Sequence, residues 1–234
     1  NKDKSLKTSP WLYNQLIANW PEQADDIIKA MLKHPPMSMR INTQKISPKD
    51  YKEKLDQTNI SYIDPKIENL IEAIIIDPPV ATNKIPGFYD GLISVQDIAA
   101  QYCTILLDPK PNDIILDACA APGGKLSHII QIQPDLKKLI GFEVDNKRFS
   151  TLKNSLKRLG LDDSPKLEVY CQDAINLQNK YADNYFDKIL IDAPCSATGI
   201  IRRQPDIQIH RCEDDLKLIK NTQIEILKSL WPKL

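Results

Sequence analysis

Two short stretches of the sequence combine residue types that could bind a ligand and carry out chemistry. The first, Asp117–Lys125, reads Asp-Ala-Cys-Ala-Ala-Pro-Gly-Gly-Lys, and the second, Asp192–Ser196, reads Asp-Ala-Pro-Cys-Ser. Gly123 and Gly124 lack a Cβ, so the backbone can bend there and a ligand can approach it closely. A cysteine just after a buried strand, such as Cys195, is expected at the exposed edge of a sheet, where it can act as a thiolate.

The glycine-containing stretch lies at a predicted strand-to-helix turn. An apolar run at residues 113–116 precedes it, and a helical pattern starts at Lys125. A helix that starts there directs free N–H groups and the positive end of its dipole into the turn. Open parallel sheets bind ligands at the carboxyl ends of their strands, so this turn is a candidate ligand site. A strand–helix turn that binds nothing is the alternative.

An acidic residue stands at or just past the end of each of four predicted strands. These residues are Asp117, Glu143, Asp173 and Asp192. We expect them to converge at one edge of a parallel sheet. Glu143 lies 19 residues past Gly124, a separation at which an acid accepts hydrogen bonds from ribose hydroxyls. Asp173 would then lie beside the base of a nucleoside, although a single such acid is more often a surface carboxylate or a helix cap.

Four other kinds of site do not fit the sequence. A P-loop needs glycine five positions before Gly124 and Ser or Thr after Lys125, but Cys119 and Leu126 occupy those positions. The dinucleotide fingerprint Gly-x-Gly-x-x-Gly is missing from the same turn. A thiol-phosphatase loop starting at the Pro-Cys thiol would need arginine at position 201, where Ile201 stands. A cysteine protease needs a well-placed histidine, which none of the three provides. A nucleoside without a triphosphate or pyrophosphate therefore fits better.

Apolar periodicity predicts an α/β protein with two differently organised parts. Strand and helix patterns alternate from residue 88 onward, which favours a parallel sheet with helices on both faces. The predicted strands of this part are residues 114–118, 139–144, 167–171 and 188–193. Its predicted helices are residues 95–107, 125–132, 147–159 and 214–230, with a short irregular piece after Asp173.

The first third of the chain predicts helices followed by a small α/β subdomain. Its predicted helices are residues 10–20, 24–33 and 48–57, and its predicted strands are residues 37–42, 60–63 and 73–76. Pro35 and Pro36 end the second helix, because proline interrupts helical hydrogen bonding. We therefore expect a linker (residues 1–9) and two helices within residues 1–34, a small subdomain at residues 35–87, and a larger domain at residues 88–234.

Composition restricts the compartment and the partners. Lys plus Arg and Asp plus Glu both number 31, so the chain is not basic overall, as a dedicated nucleic-acid-binding domain often is. Five cysteines without a Cys-x-x-Cys pair argue against zinc and favour reduced thiols in the cytoplasm. No signal-peptide pattern or stretch of 18 apolar residues predicts secretion or a membrane span. The predicted helix at residues 147–159 carries a basic cluster that we interpret as a solvated face: Lys147, Arg148, Lys153, Lys157 and Arg158.

Together, the two stretches resemble the RNA cytosine-5 methyltransferases of the class I, S-adenosylmethionine-dependent kind. The resemblance is greatest to the bacterial 16S (small-subunit) ribosomal RNA methyltransferase B (Fmu/Sun) group. Further matching segments are residues 35–42 (Pro-Pro-Met-Ser-Met-Arg-Ile-Asn), 86–88 (Pro-Gly-Phe), 95–97 (Val-Gln-Asp), 154–160 and 198–203 (Thr-Gly-Ile-Ile-Arg-Arg). The matches cover nearly the whole chain from about residue 10. Each of the two main motifs is specific for this family, and the occurrence of both in this order in one chain is more specific than either motif alone.

The resemblance implies a fold, a cofactor and a set of site residues. It implies a Rossmann-like class I methyltransferase sheet, with the small N-terminal subdomain resembling an RNA-recognition module. The turn that would hold the methionine part of S-adenosyl-L-methionine comprises Cys119, Ala120, Ala121, Pro122, Gly123, Gly124 and Lys125. Glu143 would bind the ribose, Asp173 the adenine, and Asp192 would lie between cofactor and target base. Glu143 is commonly aspartate in the family, so its longer reach changes the ribose geometry slightly.

The same resemblance implies catalytic roles. Asp192, helped by Lys125, would support addition of a thiolate to C6 of cytosine, and Cys195 would assist product release. The family's nucleophile lies in a Thr-Cys box about fifty residues after the Pro-Cys box, beyond Leu234. We therefore expect this chain to be truncated, to lack the last three strands of the fold and to be inactive alone. RNA, especially ribosomal RNA, is the expected partner; we expect no metal, no membrane contact and a monomer.

Two alternatives stay open from the sequence. A DNA cytosine methyltransferase of the same fold would use the Pro-Cys thiol itself as nucleophile, although the Asp-Ala-Pro-Cys-Ser context and residues 35–42 argue against it. A non-catalytic RNA-binding or ribosome-assembly protein could have kept the fold. It would carry no further cysteine after residue 234.

Overall fold

The computed structural model describes residues 9–234, apart from the side chains of Gln178 and Asn179. The chain forms two compact units. One comprises residues 36–193 and 226–234, and the other comprises residues 9–35 and 194–225. The predicted linker at residues 1–9 lies outside the described residues except for Ser9.

The described residues form eight strands and eight α-helices, joined by turns and short 3₁₀ segments. The strands are β1 (Met37–Ile41), β2 (Tyr62–Ile63), β3 (Ala73–Ile76), β4 (Ile93–Val95), β5 (Ile114–Asp117), β6 (Lys138–Phe142), β7 (Leu167–Tyr170) and β8 (Lys188–Leu190). The helices are α1 (Pro10–Asn19), α2 (Ala24–Met31), α3 (Pro48–Gln57), α4 (Ile98–Leu107), α5 (Gly124–Ile132), α6 (Asn146–Leu159), α7 (Ile207–His210) and α8 (Glu213–Leu230).

The first sheet is antiparallel, with strand order β2-β3-β1-β4. Alternate residues of a strand point to opposite faces, so Met39 and Ile41 of β1 lie on the same face. Both belong to the apolar core of this sheet. Helix α3 buries Tyr51 and Leu55 in the same core. The Ser47 hydroxyl caps α3 by accepting a hydrogen bond from Asp50 N, as its Ser-Pro start predicts.

Strand β4 was not predicted from the sequence. The predicted helix at residues 95–107 starts instead at Ile98, where the Asp97 carboxylate caps it by accepting from Ala99 N. Ile93–Val95 pairs with β1, and three residues are too few to give a clear alternating pattern. The antiparallel sheet therefore includes a strand past residue 87, the predicted end of the small subdomain.

The second sheet is parallel, with strand order β7-β6-β5-β8. Ile115 and Leu139 belong to an apolar cluster with α5 and α6, whereas Leu116 and Ile140 belong to a second cluster with Ile226 and others. A parallel sheet covered on both faces reads as continuous apolar runs, as residues 114–116 and 139–142 of the two central strands do. The predicted α/β class is confirmed, with a parallel sheet at the predicted positions.

The other unit is mainly helical. Its core comprises Leu12, Leu16, Ala24, Ile28, Ile201 and Ile207. The short helix α7 was not predicted. Among the described residues, no helix has both the length and the apolar composition needed to cross a membrane.

Candidate active site

The turn between β5 and α5 is built by backbone hydrogen bonds to neighbouring strands. Ala118 N donates to Leu190 O of β8 at 2.9 Å, and Ala120 N donates to Phe142 O of β6 at 2.8 Å. Gly123 has a φ of +101°, and a Cβ there would lie 2.8 Å from Leu152 Cδ1. Both the left-handed backbone and the close packing require glycine at this position. The turn thus lies at the carboxyl ends of the central strands, as predicted.

Asp117 ends β5 beneath this turn and is 1% exposed. Its Oδ1 accepts a hydrogen bond from Cys119 N at 3.3 Å, and its Oδ2 has no partner among the described residues. Burial raises the pKa of Asp117 to about 7, and the charges of Asp192 and Glu143 act in the same direction. This carboxyl therefore keeps its proton to a much higher pH than an ordinary aspartate does.

Glu143 follows β6 and is also buried. Its Oε1 accepts from Asp145 N at 3.0 Å, whereas its Oε2 accepts no hydrogen bond from a described residue. Arg148 Nη1 lies 3.4 Å from Oε2, and Arg148 Nη2 donates to Ala121 O at 2.8 Å. Arg148 thus connects the acid after β6 to the glycine turn, although the sequence suggested only a solvated basic face.

Lys125 and Asp192 join the two sequence stretches. Lys125 Nζ lies 2.7 Å from Asp192 Oδ1, and the two side chains are 18% and 51% exposed. Burial alone would lower the pKa of Lys125, but the hydrogen bond and charge of Asp192 raise it above its ordinary value. The ammonium group therefore stays charged beside a carboxylate that is half open to solvent.

Asp173 follows β7, where its Oδ1 accepts from Ile175 N at 3.0 Å. This is the cap of a 3₁₀ segment, so part of the carboxylate has the structural role that a lone acid often has. Asp173 also lines an open cavity of about 500 Å³ together with Gln172, Asn176, Leu177 and Lys180. A ligand could reach the acid from that side.

The two motif cysteines differ in exposure. Cys119 is half-buried, and burial together with Asp117 and Glu143 raises the pKa of its thiol to about 12. It therefore stays protonated and is unsuited to act as a nucleophile. Cys195 is exposed and belongs to the unit of residues 9–35 and 194–225. Its predicted position at the edge of the sheet and its predicted catalytic role stay predictions.

Comparison with known families identifies the chain. Residues 104–234 match the model of the 16S rRNA methyltransferase RsmB/F family, and residues 9–83 match its ferredoxin-like domain. The chain belongs to the RsmB/F methyltransferase family. This confirms the resemblance deduced from the two motifs.

Curated relatives agree with this family assignment. A probable ribosomal RNA small subunit methyltransferase B from Coxiella burnetii is 38% identical over 224 residues, covering 96% of this chain and 51% of the relative. The ribosomal RNA small subunit methyltransferase B of Serratia proteamaculans is 38% identical over 234 residues, covering 100% and 53%. The chain thus spans about half the length of the curated relatives it matches.

Solved structures share the fold. A methyltransferase homolog protein from Pyrococcus horikoshii matches with a TM-score of 0.74 and 30% identity, covering 94% of this chain and 72% of that one. NSun6 from the same organism, crystallised with SFG, matches with a TM-score of 0.84 at 18% identity, covering 98% and 81%. The latter likeness concerns the fold alone.

The residues of this RsmB/F-family chain fit a nucleoside cofactor that carries an amino acid. Asp117 Oδ2 and Glu143 Oε2 are buried acceptors that receive no hydrogen bond from a described residue, so hydroxyl or ammonium donors could satisfy them. Free N–H groups at the start of α5 favour a carboxylate. No group of three or more His, Cys, Asp or Glu residues that could hold a metal ion occurs within the described part of the chain.

Proposed function

We propose that this chain is the cofactor-binding and base-activating part of an S-adenosylmethionine-dependent RNA cytosine-5 methyltransferase that acts on 16S ribosomal RNA. Family membership supports RNA methylation and this methyl donor. The contact between Lys125 and Asp192 carries the finer proposal, because it joins the glycine turn to the strand that leads into the Pro-Cys segment. A carboxylate held in this way is suited to binding one edge of a target base.

Three parts of the cofactor have proposed partners. The turn of Cys119 to Lys125 holds the methionine part, Glu143 accepts from the ribose hydroxyls, and Asp173 accepts from the adenine. Glu143 Oε2 accepts no hydrogen bond from a described residue, which supports the second assignment, and the open cavity beside Asp173 supports the third. When bound, the cofactor supplies a methyl group activated by a sulfonium.

Asp192 and Lys125 prepare the base. C5 of cytosine is a weak nucleophile until a thiolate adds to C6, which makes C5 electron-rich. Asp192 acts at N3 as hydrogen-bond partner or acid during that addition, and Lys125 fixes the direction of its carboxylate. After methylation, C5 loses its proton and the thiol leaves. Following the resemblance, we assign the nucleophile to a Thr-Cys box and product release to Cys195.

The decisive experiment uses Cys195→Ala in the gene product that contains this chain, incubated with small-subunit ribosomal RNA and S-adenosylmethionine. Because addition persists while release is impaired, a slowly migrating protein–RNA band should accumulate on a denaturing gel. The control is Cys212→Ala, which removes a second free, exposed cysteine of the same unit. It should behave like the unchanged protein, and nuclease-digested product RNA should contain 5-methylcytosine.

Four outcomes would reject parts of this proposal. No band with Cys195→Ala would remove Cys195 from product release. A methylated base other than 5-methylcytosine would overturn the C5 assignment. Binding of RNA without methyl transfer would favour the ribosome-assembly alternative, and methylation of DNA but not RNA would favour the DNA alternative.

A further inference from the structure

Helix α5 is buried on two chemically different faces. Leu126, Ile129 and Ile130 belong to the apolar core of the parallel sheet. The polar residues fall at helical spacing on another face: Gly124, Ser127, His128 and Gln131. Ser127, His128 and Gln131 are at most 5% exposed, so this polar face is covered as well. Its partner is the antiparallel sheet.

Arg40 of β1 supplies most of that contact. The side chain is 1% exposed, and its guanidinium donates to four acceptors. Nη1 donates to Gln96 Oε1 and, at 2.8 Å, to Gly124 O. Nη2 donates to Ser127 Oγ at 3.0 Å and to Gln131 Oε1 at 2.9 Å. Three of the four acceptors belong to α5, so one side chain ties the small sheet to the first two turns of this helix.

The guanidinium keeps its charge despite complete burial. Desolvation lowers the pKa of Arg40 to about 9, opposed by the negative charge of Glu72. Glu72 in turn accepts a hydrogen bond from His128 Nε2 at 2.9 Å. Desolvation alone would raise the pKa of Glu72, but this hydrogen bond and the charge of Arg40 bring it below its ordinary value. The network therefore contains a cation and a carboxylate at neutral pH.

The bond to Gly124 O reaches the proposed cofactor site through one peptide plane. Because the peptide unit is planar, fixing the carbonyl of Gly124 also fixes the direction of the N–H of Lys125. That N–H is in the first turn of α5, where helical N–H groups have no partner within the helix. Lys125 also carries the side chain that holds Asp192.

We infer that Arg40 is a positioning residue of the cofactor site: it aims the first-turn N–H groups of α5 and Lys125 from the side of the antiparallel sheet. The small sheet is then part of the machinery for methyl transfer, in addition to any contact it makes with RNA. This inference rests on the proposed function for the identity of the ligand.

Arg158 offers a matched comparison. It also ties a helix of the parallel-sheet part, α6, to the antiparallel sheet. Its Nη1 donates to Phe88 O and Ile93 O, its Nη2 donates to Ser94 Oγ, and the guanidinium lies 4.3 Å from the Phe88 ring centroid. Arg158 is near the end of α6, and none of these four contacts involves the glycine turn. Substituting Arg158 therefore tests the effect of losing a similar helix-to-sheet contact that does not involve the glycine turn.

The experiment compares Arg40→Lys and Arg158→Lys in the full chain. Lysine keeps the charge but cannot reach several acceptors with a planar fork. We expect Arg40→Lys to weaken S-adenosylmethionine binding at least tenfold by calorimetry and to speed hydrogen exchange at the amides of residues 124–128. We expect both substitutions to lower the unfolding temperature by similar amounts. Arg158→Lys, however, should leave cofactor affinity within twofold of that of the unchanged chain.

A milder variant covers the case in which Arg40→Lys fails to fold. Ser127→Ala removes one acceptor of Arg40, together with a hydroxyl that itself donates to Gly124 O at 3.2 Å, and it leaves the charge pair intact. A smaller loss of affinity, about threefold, is therefore expected. Equal affinity for the unchanged chain, Ser127→Ala and any folded Arg40→Lys would overturn the inference, as would unchanged exchange at residues 124–128. If the unchanged chain binds no S-adenosylmethionine, the proposed function fails, while the exchange measurement still decides whether Arg40 orders the turn.

Discussion

The two sheets of this protein contain four strands each, but they carry their polar groups in different places. The parallel sheet packs against an apolar cluster on each face, and its acids Asp117, Glu143 and Asp192 stand at or past the carboxyl ends of its strands. The antiparallel sheet has one apolar face and one polar face. Arg40 belongs to the polar face, which is buried against helix α5.

The difference separates binding from positioning. At the parallel sheet's edge, the buried oxygens Asp117 Oδ2 and Glu143 Oε2 accept no hydrogen bond from a described residue, so donors of a ligand could satisfy them. On the polar face, the Arg40 guanidinium donates to four acceptors and His128 pairs with Glu72. The buried atoms that lack a hydrogen-bond partner there among the described residues are nitrogens: Arg40 Nε, His128 Nδ1 and Gln131 Nε2. Changes at the edge should therefore alter ligand binding and the stability of charged forms. Changes on the polar face should alter stability first and the site second.

The largest expected effect concerns Asp117 at the edge. Its pKa is about 7 in the folded protein and 3.8 ordinarily, so the unfolded chain loses this proton at lower pH than the folded one. Stability from this group is complete below pH 3.8 and is lost as pH rises to about 7, by on the order of 4 kcal/mol. Asp117→Asn cannot ionise, so its free energy of unfolding should decline less between pH 4 and pH 8.

Urea unfolding at several pH values measures this difference. Asp135→Asn is a suitable control, because Asp135 is an exposed acid outside the site. If Asp117→Asn follows the same pH profile as the unchanged chain, Asp117 is not the strained acid of the edge, and the contrast between the two sheets loses its main support.

A smaller effect of opposite pH dependence is expected on the polar face. Burial lowers the pKa of His128 to about 4 from 6.5, opposed by its hydrogen bond to Glu72, while Arg40 lowers it further. As pH falls from 6.5 towards 4, this histidine becomes protonated in the unfolded chain but stays largely neutral in the folded protein. Stability should therefore fall by about 3 kcal/mol between pH 7 and pH 4.

His128→Gln removes this titration and keeps a side-chain N–H for Glu72. Its stability should fall less steeply between pH 6.5 and pH 4.5, above the range where Glu72 itself titrates. His34→Gln, at an exposed position of the other unit, serves as the control. If the stability of His128→Gln fell as steeply at acidic pH as that of the unchanged chain, His128 would be charged in the folded protein and the network would be organised differently.

The contrast between the sheets also explains what the sequence could and could not predict. The positions of the carboxyl-edge acids were predictable, because residues that follow the strands of a parallel sheet all lie at its carboxyl edge. The link between Lys125 and Asp192 came instead from the family resemblance, and the two side chains lie 2.7 Å apart. The predicted roles of Cys195 and of the cofactor-binding residues stay predictions.

The polar face was not predictable in the same way. In the segment Met37–Ile41, alternation of apolar and polar residues indicates one buried and one solvated face, yet Ser38 and Arg40 are buried too. This face of the sheet is buried because α5, which is distant in sequence, packs against it. A usable signal existed in α5 itself, where Gly124, Ser127 and Gln131 recur at helical spacing. The contacts of Arg148 with Glu143 and the glycine turn were not predictable either, because Arg148 is one of several basic residues on the same helix.

The smallest of the expected effects tests whether the edge binds ligand through Glu143. Glu143→Gln keeps the shape of the side chain and removes the charge, so each hydrogen bond from a ribose hydroxyl loses its charge assistance. That loss is about 1.5–2 kcal/mol, or a 10- to 30-fold weaker binding of S-adenosylmethionine by calorimetry. Glu168→Gln provides the control, because Glu168 on β7 pairs with Lys138 and Tyr170 and does not line the turn. Equal affinities for both variants would assign the ribose to another acceptor. A loss confined to Glu143→Gln would make the carboxyl edge of the parallel sheet the binding side of the molecule and leave the polar face of the antiparallel sheet its support.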